Sequence, residues 1–203
     1  MKGETFFVPP PRLVHEHVVL EALGLHHAIG RYEVGSNPSI WEWLTRSELD
    51  SIEDAEGFIR EASELRDSGD EFPLVVKERS TGRVAGSTRY MEISNPNRSL
   101  EIGWTWYGVD YQRTAVNTEC KLLLMTYAFE SLKAVRVQLK TDRRNLRSQA
   151  AIQRIGAKYE GILRKHRVLP KDQFVRDTVY FSVIDDEWPE VKTRLLERLA
   201  QPR

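Results

Sequence analysis

Leu100-Glu101-Ile102-Gly103-Trp104-Thr105-Trp106, followed by Asn117-Thr118-Glu119 and the apolar run Cys120 to Leu132, is the stretch on which the reading of this chain turns. The first segment has the character of a strand, and the second opens a helix. The pattern repeats at once: Val135-Arg136-Val137-Gln138-Leu139-Lys140 reads as a strand, and Asn145-Leu146-Arg147-Ser148 opens a short helix that stops at Gly156. A strand-to-helix junction presents unpaired backbone N–H groups at the positive end of the helix, which suits an anionic, phosphate-bearing ligand. Two such junctions in succession point to a cofactor clasped at one edge of a sheet.

Upstream, Pro9-Pro10-Pro11 ends an irregular lead-in over residues 1–11, and Leu13 to Glu21 alternates as a first strand with Val14, Val18 and Leu20 on one face. Ser51-Ile52-Glu53-Asp54 reads as a capping box before an apolar stripe at Ala55, Phe58, Ile59, Ala62 and Leu65. Phe72 to Glu78 and Arg83 to Ile93 read as strands joined by Ser80-Thr81-Gly82, and Asn95-Pro96-Asn97 turns into the strand bearing Glu101. Downstream, Lys158 to Leu169 and Phe174 to Ile184 form a hairpin around Pro170-Lys171-Asp172. A helix from about Glu187 carries Val191, Leu195 and Leu199 at i, i+4 spacing. Strands crowd the early part and helices connect them later. That order predicts an α/β (α+β) fold with a mixed sheet and helices on both faces, not a doubly wound parallel sheet.

The 203 residues suit one domain over 1–203 with a sizeable core. Thirty basic residues balance thirty acidic ones, so no global field recruits nucleic acid or an anionic membrane. The basic stretch Lys133 to Arg147 spans two elements rather than one groove-facing helix. No run approaches the roughly 18 apolar residues of a membrane span, and Met1 to Val8 lacks the form of a signal peptide, so a cytoplasmic protein is expected. The single cysteine, Cys120, excludes an internal disulfide and a cysteine-based zinc site; inside an apolar helix it reads as buried filler.

From about Arg12 to Leu199 the chain resembles the GNAT superfamily of acetyl-CoA-dependent N-acetyltransferases. Within it, the chain is most similar to the Rim branch, which acetylates ribosomal-protein N-termini. The resemblance is carried by the order of Glu101-Ile102-Gly103, Asn117-Thr118-Glu119, Asn145 with Ser148, Gly156-Ala157, Arg176-Asp177 and Glu187-Trp188. It implies a mostly antiparallel central sheet in which one strand pair splays apart to admit the pantetheine arm, acetyl-CoA as co-substrate without a metal, and an amine acceptor (a peptide N-terminus or a small molecule). A homodimer is among the assemblies it allows.

The resemblance also assigns residues. The pyrophosphate loop falls on Gln112-Arg113-Thr114-Ala115-Val116-Asn117, with Ala115 where the family has glycine and Asn117 where it has a small residue. Arg113 and the Thr114 hydroxyl offer compensating phosphate contacts; the plainer account is a loop with Asn117 as N-cap. Asn145 is a good N-cap for the Ser148 N–H, with Ala150, Ala151 and Ile155 on the buried side. In the family this asparagine contacts pantetheine, and a serine at the Ser148 position protonates the departing thiolate. Alternation places Leu100, Ile102 and Trp104 on one strand face and Glu101, Gly103 and Thr105 on the other, with Glu101 either a general base or a carboxylate ordering a neighbour. A bulge near Thr105-Trp106 is expected to turn an N–H toward the thioester carbonyl.

The remaining chemistry-bearing residues have plainer readings. His15 and His17 read as solvent-facing strand residues with no third metal ligand, so no metal is expected. His26-His27 falls at a helix start near the expected acceptor pocket, and His166 lies on a solvated basic strand. Trp41 and Trp43 read as core or pocket wall, and Arg176-Asp177 as a structural ion pair. The altered loop leaves a second function open, a non-catalytic acyl-CoA-binding regulatory protein.

Overall fold

The computed structural model describes residues 5–46 and 49–201; the residues 1–4 read above for a leader lie outside them. One sheet of eight strands runs in the order β1-β2-β3-β4-β5-β6-β8-β7. Its strands are β1 (Leu13–Val14), β2 (Val18–Ala22), β3 (Phe72–Glu78), β4 (Val84–Ser94), β5 (Ser99–Tyr107), β6 (Arg136–Asp142), β7 (Lys158–Val168) and β8 (Val175–Ile184). Every pairing is antiparallel except β5 with β6. The helices are α1 (Ala28–Gly35), α2 (Ile52–Asp67), α3 (Val116–Thr126), α4 (Leu146–Arg154) and α5 (Trp188–Ala200).

Strand alternation sends side chains to two cores. Val18, Leu20, Leu74, Val76, Leu100, Ile102, Val137 and Leu139 pack with the apolar faces of α3, α4 and α5. Val75 and Trp106 pack on the opposite face with Ala28 of α1 and with Ala55, Phe58, Ile59 and Ala62 of α2. The helices therefore cover both faces, as expected. α2 starts where the sequence predicts: the Asp54 N–H donates to Ser51 Oγ at 3.1 Å, while Asp54 Oδ2 accepts the N–H of Asp50 at 3.2 Å, one residue earlier than a full capping box requires.

Several local expectations are corrected. Leu13 to Glu21 is not one strand: His15-Glu16-His17 bends it, the His15 N–H closes on Val18 O at 3.0 Å, and Leu13 and Val14 fold back beside Leu20 and Val19. Val14 is consequently exposed while Val18, Val19 and Leu20 are all buried. Asn117 is not an N-cap, because α3 begins at Val116 after Ala115, which has no side-chain cap. The apolar run ends in a π-turn at Tyr127–Ser131, with Leu132 N–H donating to Tyr127 O. In α4 the buried positions are Ile152 and then Ile155, whereas Ala150 faces solvent. Arg176 and Asp177 do not pair with each other. Successive strand residues face opposite ways, so Arg176 is buried against Thr178 Oγ1 (3.1 Å) and Asp177 meets Arg143 (3.3 Å). Among the described residues no helix is long and apolar enough to cross a membrane.

Lys121 is a charged residue inside the first core. It is buried on α3, and its Nζ donates to Thr105 Oγ1 at 3.0 Å, which is shared with Thr88 Oγ1 at 2.8 Å. Burial pushes the ammonium from its ordinary 10.5 down to about 8. Below pH 8 both folded and unfolded chains carry the proton and the full cost of burying the charge is felt; between about 8 and 10.5 the folded chain holds fewer protons, so stability rises with pH. That fall corresponds to roughly 3 kcal/mol. Lys121→Met is expected to stabilise the protein at pH 7 by up to that amount, with the advantage over wild type shrinking by pH 10; urea denaturation at both pH values measures it.

Candidate active site

The site begins where β5 and β6 part. Their parallel pairing covers only Ser99, Leu100 and Glu101 opposite Arg136, Val137 and Gln138. Beyond it, β5 runs on to Tyr107 and β6 to Asp142, so past Glu101 the β5 backbone edge facing β6 has no strand partner among the described residues. The expected splay is therefore present. An unpaired edge of this kind offers N–H and C=O groups to an extended amide-bearing chain.

Glu101 sits at the base of the fork and is 1% exposed. Its carboxylate accepts from Gln138 Nε2 at 3.0 Å and from Lys140 Nζ at 2.9 Å. Burial raises its pKa, the Lys140 ammonium opposes that rise, and the net direction is upward. Gly103 makes room for it: a Cβ there would stand 2.8 Å from Glu101 Oε1 and 2.5 Å from Met91 Sδ. Lys140 and Gln138 were legible only as strand residues; their i, i+2 spacing was the available signal, because alternation puts both on one face.

A bulge interrupts β5 next to the fork. Ser87 pairs with Trp106 and Arg89 with Gly103, so Trp104 and Thr105 together oppose Thr88, and Trp104 has φ 50°. The bulge lies one residue before the expected place. The extra residue exchanges the two faces: Trp104 turns to Phe58 of α2 (ring centroids 5.7 Å apart), and Thr105 turns to Lys121 of α3. The side chain of Trp106 packs against Trp41 in the second core, ring centroids 5.3 Å apart and tilted at 44°, so only its backbone faces the fork's edge.

Both helix entrances follow the diverging strands, and they touch: Arg147 Nη1 donates to Gln112 Oε1 at 3.3 Å. The two differ in how much is already satisfied. At α4, Asn145 Oδ1 accepts the Ser148 N–H at 2.9 Å, and Ser148 is half-buried. At α3 the N-cap residue, Ala115, has no side-chain cap, and of the first-turn N–H groups only that of Val116 meets a side chain among the described residues. Ala115 has φ −65°, which alanine adopts freely, and the left-handed conformation falls instead on exposed Arg113 at φ 62°. The missing glycine thus imposes no strain at position 115. The Thr114 hydroxyl is committed, donating to Tyr111 O at 2.7 Å and accepting from Val116 N–H at 3.3 Å. Val116 is buried, and Asn117 is half-buried in the first turn. A helix start with N–H groups left uncapped beyond Val116, beside the exposed Arg113, fits a pyrophosphate, and the β5 edge fits the amides of a pantetheine arm.

The histidines are placed differently from expectation. His15 and His17 lie in the bend before β2 and converge on the buried Glu119 of α3, with Nδ1 atoms 3.2 Å and 2.5 Å from its carboxylate oxygens. Glu119 is thus the third group that sequence reading missed, and with Glu16 and His17 it forms a cluster of metal-ligand type. His27 is buried, its Nε2 3.1 Å from Glu21, which also accepts from Lys77 at 3.0 Å. His166 reaches Thr178 Oγ1 at 3.0 Å, and burial lowers its pKa. Trp41 is core, whereas Trp43 lies 5.3 Å from the Arg144 guanidinium.

A further group of cations had no signal in the sequence. Ser87, Arg89 and Met91 of β4 share a face with Trp106, Gly103 and Glu101 of β5. Over that face, the Arg31 guanidinium lies 3.9 Å from the Phe58 ring centre and 5.1 Å from Trp106; Arg89 is 4.9 Å from Phe58 and Trp104, and Arg46 is 5.1 Å from Phe58. Arg89 is held by Glu71 at 2.6 Å and Arg46 by Glu61 at 2.5 Å. Arg31, wholly buried, has Ser87 Oγ at 3.3 Å and no carboxylate among the described residues. Cation–π contact returns about 2 kcal/mol against a desolvation cost of several kcal/mol.

Comparison with known proteins agrees with this geometry. Residues 17–158 match the acetyltransferase (GNAT) domain family. This chain belongs to that family of acetyltransferases. A GCN5-related N-acetyltransferase from Brucella melitensis superposes with a TM-score of 0.88 at 30% identity, covering 94% of this chain and 86% of that one. YdaF of Bacillus subtilis (strain 168), provisionally named a ribosomal N-acetyltransferase, is 32% identical over 53% of this chain, an alignment that spans only 57% of YdaF's length. A ribosomal-protein-S5-alanine acetyltransferase from Vibrio fischeri shares the fold, with a TM-score of 0.72 at 17% identity over 88% of this chain and 99% of that one.

Cys120 lies apart from this chemistry. It is fully buried in α3, and burial pushes its thiol up to about 12, so thiolate is negligible at neutral pH. Cys120→Ala is expected to retain acetyl transfer within a few-fold, while losing about 1 kcal/mol of packing. Steady-state rates together with mass spectrometry for an acetylated cysteine check this.

Proposed function

We propose that the protein transfers the acetyl group of acetyl-CoA to a primary amine by direct attack of the amine on the thioester, and that one domain does so without metal or covalent enzyme intermediate. The observation that carries the reading is the fork: a strand edge left without a partner, a buried carboxylate at its base, and two touching helix entrances at its open end. Acetyl-CoA supplies an acetyl thioester whose carbon forms the new bond to nitrogen as its bond to sulfur breaks. The first-turn N–H groups of α3 and the Arg113 guanidinium hold the pyrophosphate, with Gln112 and Arg147 bordering it. Asn145 shapes the α4 entrance and offers its amide NH2 to the pantetheine arm. The β5 edge at the bulge, around Thr105 and Trp106, directs backbone N–H toward the thioester oxygen.

Glu101 takes the proton that leaves the amine, directly or through water. Burial raises its pKa, which strengthens it as a proton acceptor, and the Lys140 ammonium opposes that rise. Ser148 donates to the departing sulfur. An α-amine, with a reference pKa near 8, needs little help to lose its proton, which favours a peptide N-terminus as acceptor; the name of YdaF points the same way. The Lys140–Glu101 ion pair also favours a second reading, a non-catalytic acyl-CoA-binding protein, because a carboxylate locked to an ammonium is a weaker base.

Free-thiol release from acetyl-CoA across a panel of peptides and small amines separates the two readings: acceptor-dependent release establishes transfer, and CoA binding without release establishes the second. Arg113→Glu is expected to weaken CoA roughly tenfold or more by calorimetry, since it sets like charge beside the pyrophosphate. Equal affinity would remove this loop from the site. For Glu101→Gln we expect a loss of about 100-fold or more in kcat and a flattened acidic limb of the pH–rate profile, with CoA affinity nearly unchanged. An unaltered profile would leave the acceptor's own low pKa as the explanation.

A further inference from the structure

The face of the sheet that carries Glu101 continues beneath a cluster of cationic and aromatic side chains with more positive than negative charge. Three guanidinium groups surround the Phe58 ring, and the two carboxylates beside them are taken by Arg89 and Arg46. Of the three, Arg31 alone has no counter-charge among the described residues, although it is 0% exposed. Its Nη1 donates to Ser87 Oγ, while Nε and Nη2 have no acceptor among the described residues. Those two nitrogens lie along one edge of the guanidinium, the edge that takes both oxygens of a carboxylate side-on. Burial, with Arg89 and Arg46 nearby, holds Arg31 down to about 9, so it still carries its charge at neutral pH.

A buried cation without an anion is a cost that an apolar residue at the same position would remove. The rings of Phe58 and Trp106 offset part of it but cannot accept the two N–H groups. We propose that this cluster forms a chamber that recognises a carboxylate on the acceptor, with the unpaired edge of Arg31 receiving it and Arg89 and Arg46 adding positive field. This inference rests on the amine-acetylating reading given above. The register sets the spacing: Ser87, beside Arg31, and Met91, opposite Glu101, are four strand residues apart, or about 13 Å. An amine at Glu101 and a carboxylate at Arg31 therefore fit a short peptide with an acidic side chain two or three residues after its N-terminus, better than a free amino acid. Arg46, whose side chain is 34% exposed, is the member of the cluster most open to solvent.

The test compares peptide acceptors that differ only by Glu or Gln at the second, third or fourth position, using wild type and Arg31→Met. Wild type is expected to favour a Glu peptide at least tenfold in kcat/KM, mainly through KM. Arg31→Met is expected to bring the Glu/Gln ratio close to one and to raise the melting temperature, since it removes an uncompensated buried charge. A merely structural Arg31 would instead lower the melting temperature and leave the ratio unchanged. A wild-type ratio within twofold at every position, or the same ratio in wild type and variant, overturns the proposal. If wild type releases no thiol with any peptide, the transferase reading fails by itself. Thermal melts with glutarate against glutaramide then decide the chamber: stabilisation of wild type but not Arg31→Met by glutarate alone upholds it, and equal effects overturn it. If Arg31→Met does not fold, the wild-type peptide ratio and the wild-type glutarate shift carry the decision.

Discussion

The parting of β5 from β6 after Glu101 and Gln138 is the constraint on which the rest of the site depends. A parallel pair that continued to the ends of both strands would satisfy its own backbone and leave nothing for a ligand. Here the pair lasts for three residues on each strand. The fork is held open from both sides. On one face, the bulge at Trp104-Thr105 twists β5 and locks Thr105 to Thr88 and Lys121; on the other edge, β6 is drawn into a continuous antiparallel ladder with β8 from Arg136 to Asp142. The exposed β5 edge is thus the consequence of two stronger commitments rather than a weak spot in the sheet.

Charge is distributed around this fork in a way that separates two tasks. At its open end the helix starts and Arg113 are accessible and positive, suited to a highly charged ligand that arrives from solvent. At its base Glu101 is buried with one ammonium and one amide. Across the covering face of α1 and α2, the buried arginines hold positive charge in a low-dielectric setting, where it is costly to keep and discriminates strongly. Lys121 on the opposite core face is a further buried cation, tied to a hydroxyl rather than a carboxylate. Each such site carries the cost of desolvating a charge, so these are the positions where apolar replacement should stabilise the fold.

Much of the fold was legible from local chemistry. The strand at Phe72–Glu78, the N-cap Ser51, the N-cap Asn145 and the stop at Gly156, which has φ +102°, all lie where the residues placed them. Each depends on neighbours within a few positions, which is what sequence patterns report. The errors share a cause as well. The break at His15-Glu16-His17, the swapped faces of Trp104 and Thr105, and the separate partners of Arg176 and Asp177 all arise from contacts with distant segments.

The sequence by itself determined the order of elements, the two helix entrances, the carboxylate at Glu101 and the family resemblance, because these rest on periodicity, capping and short spacing. Only the tertiary structure decided that the two entrances meet through Gln112 and Arg147, that Lys140 shares the Glu101 carboxylate, that Glu119 collects two histidines, and that Arg31 is buried without an anion among the described residues. The physical reason is that charge pairing and desolvation depend on what lies within a few ångströms in space. An arginine in an ordinary amphipathic helix carries no mark of whether a carboxylate awaits it across the fold.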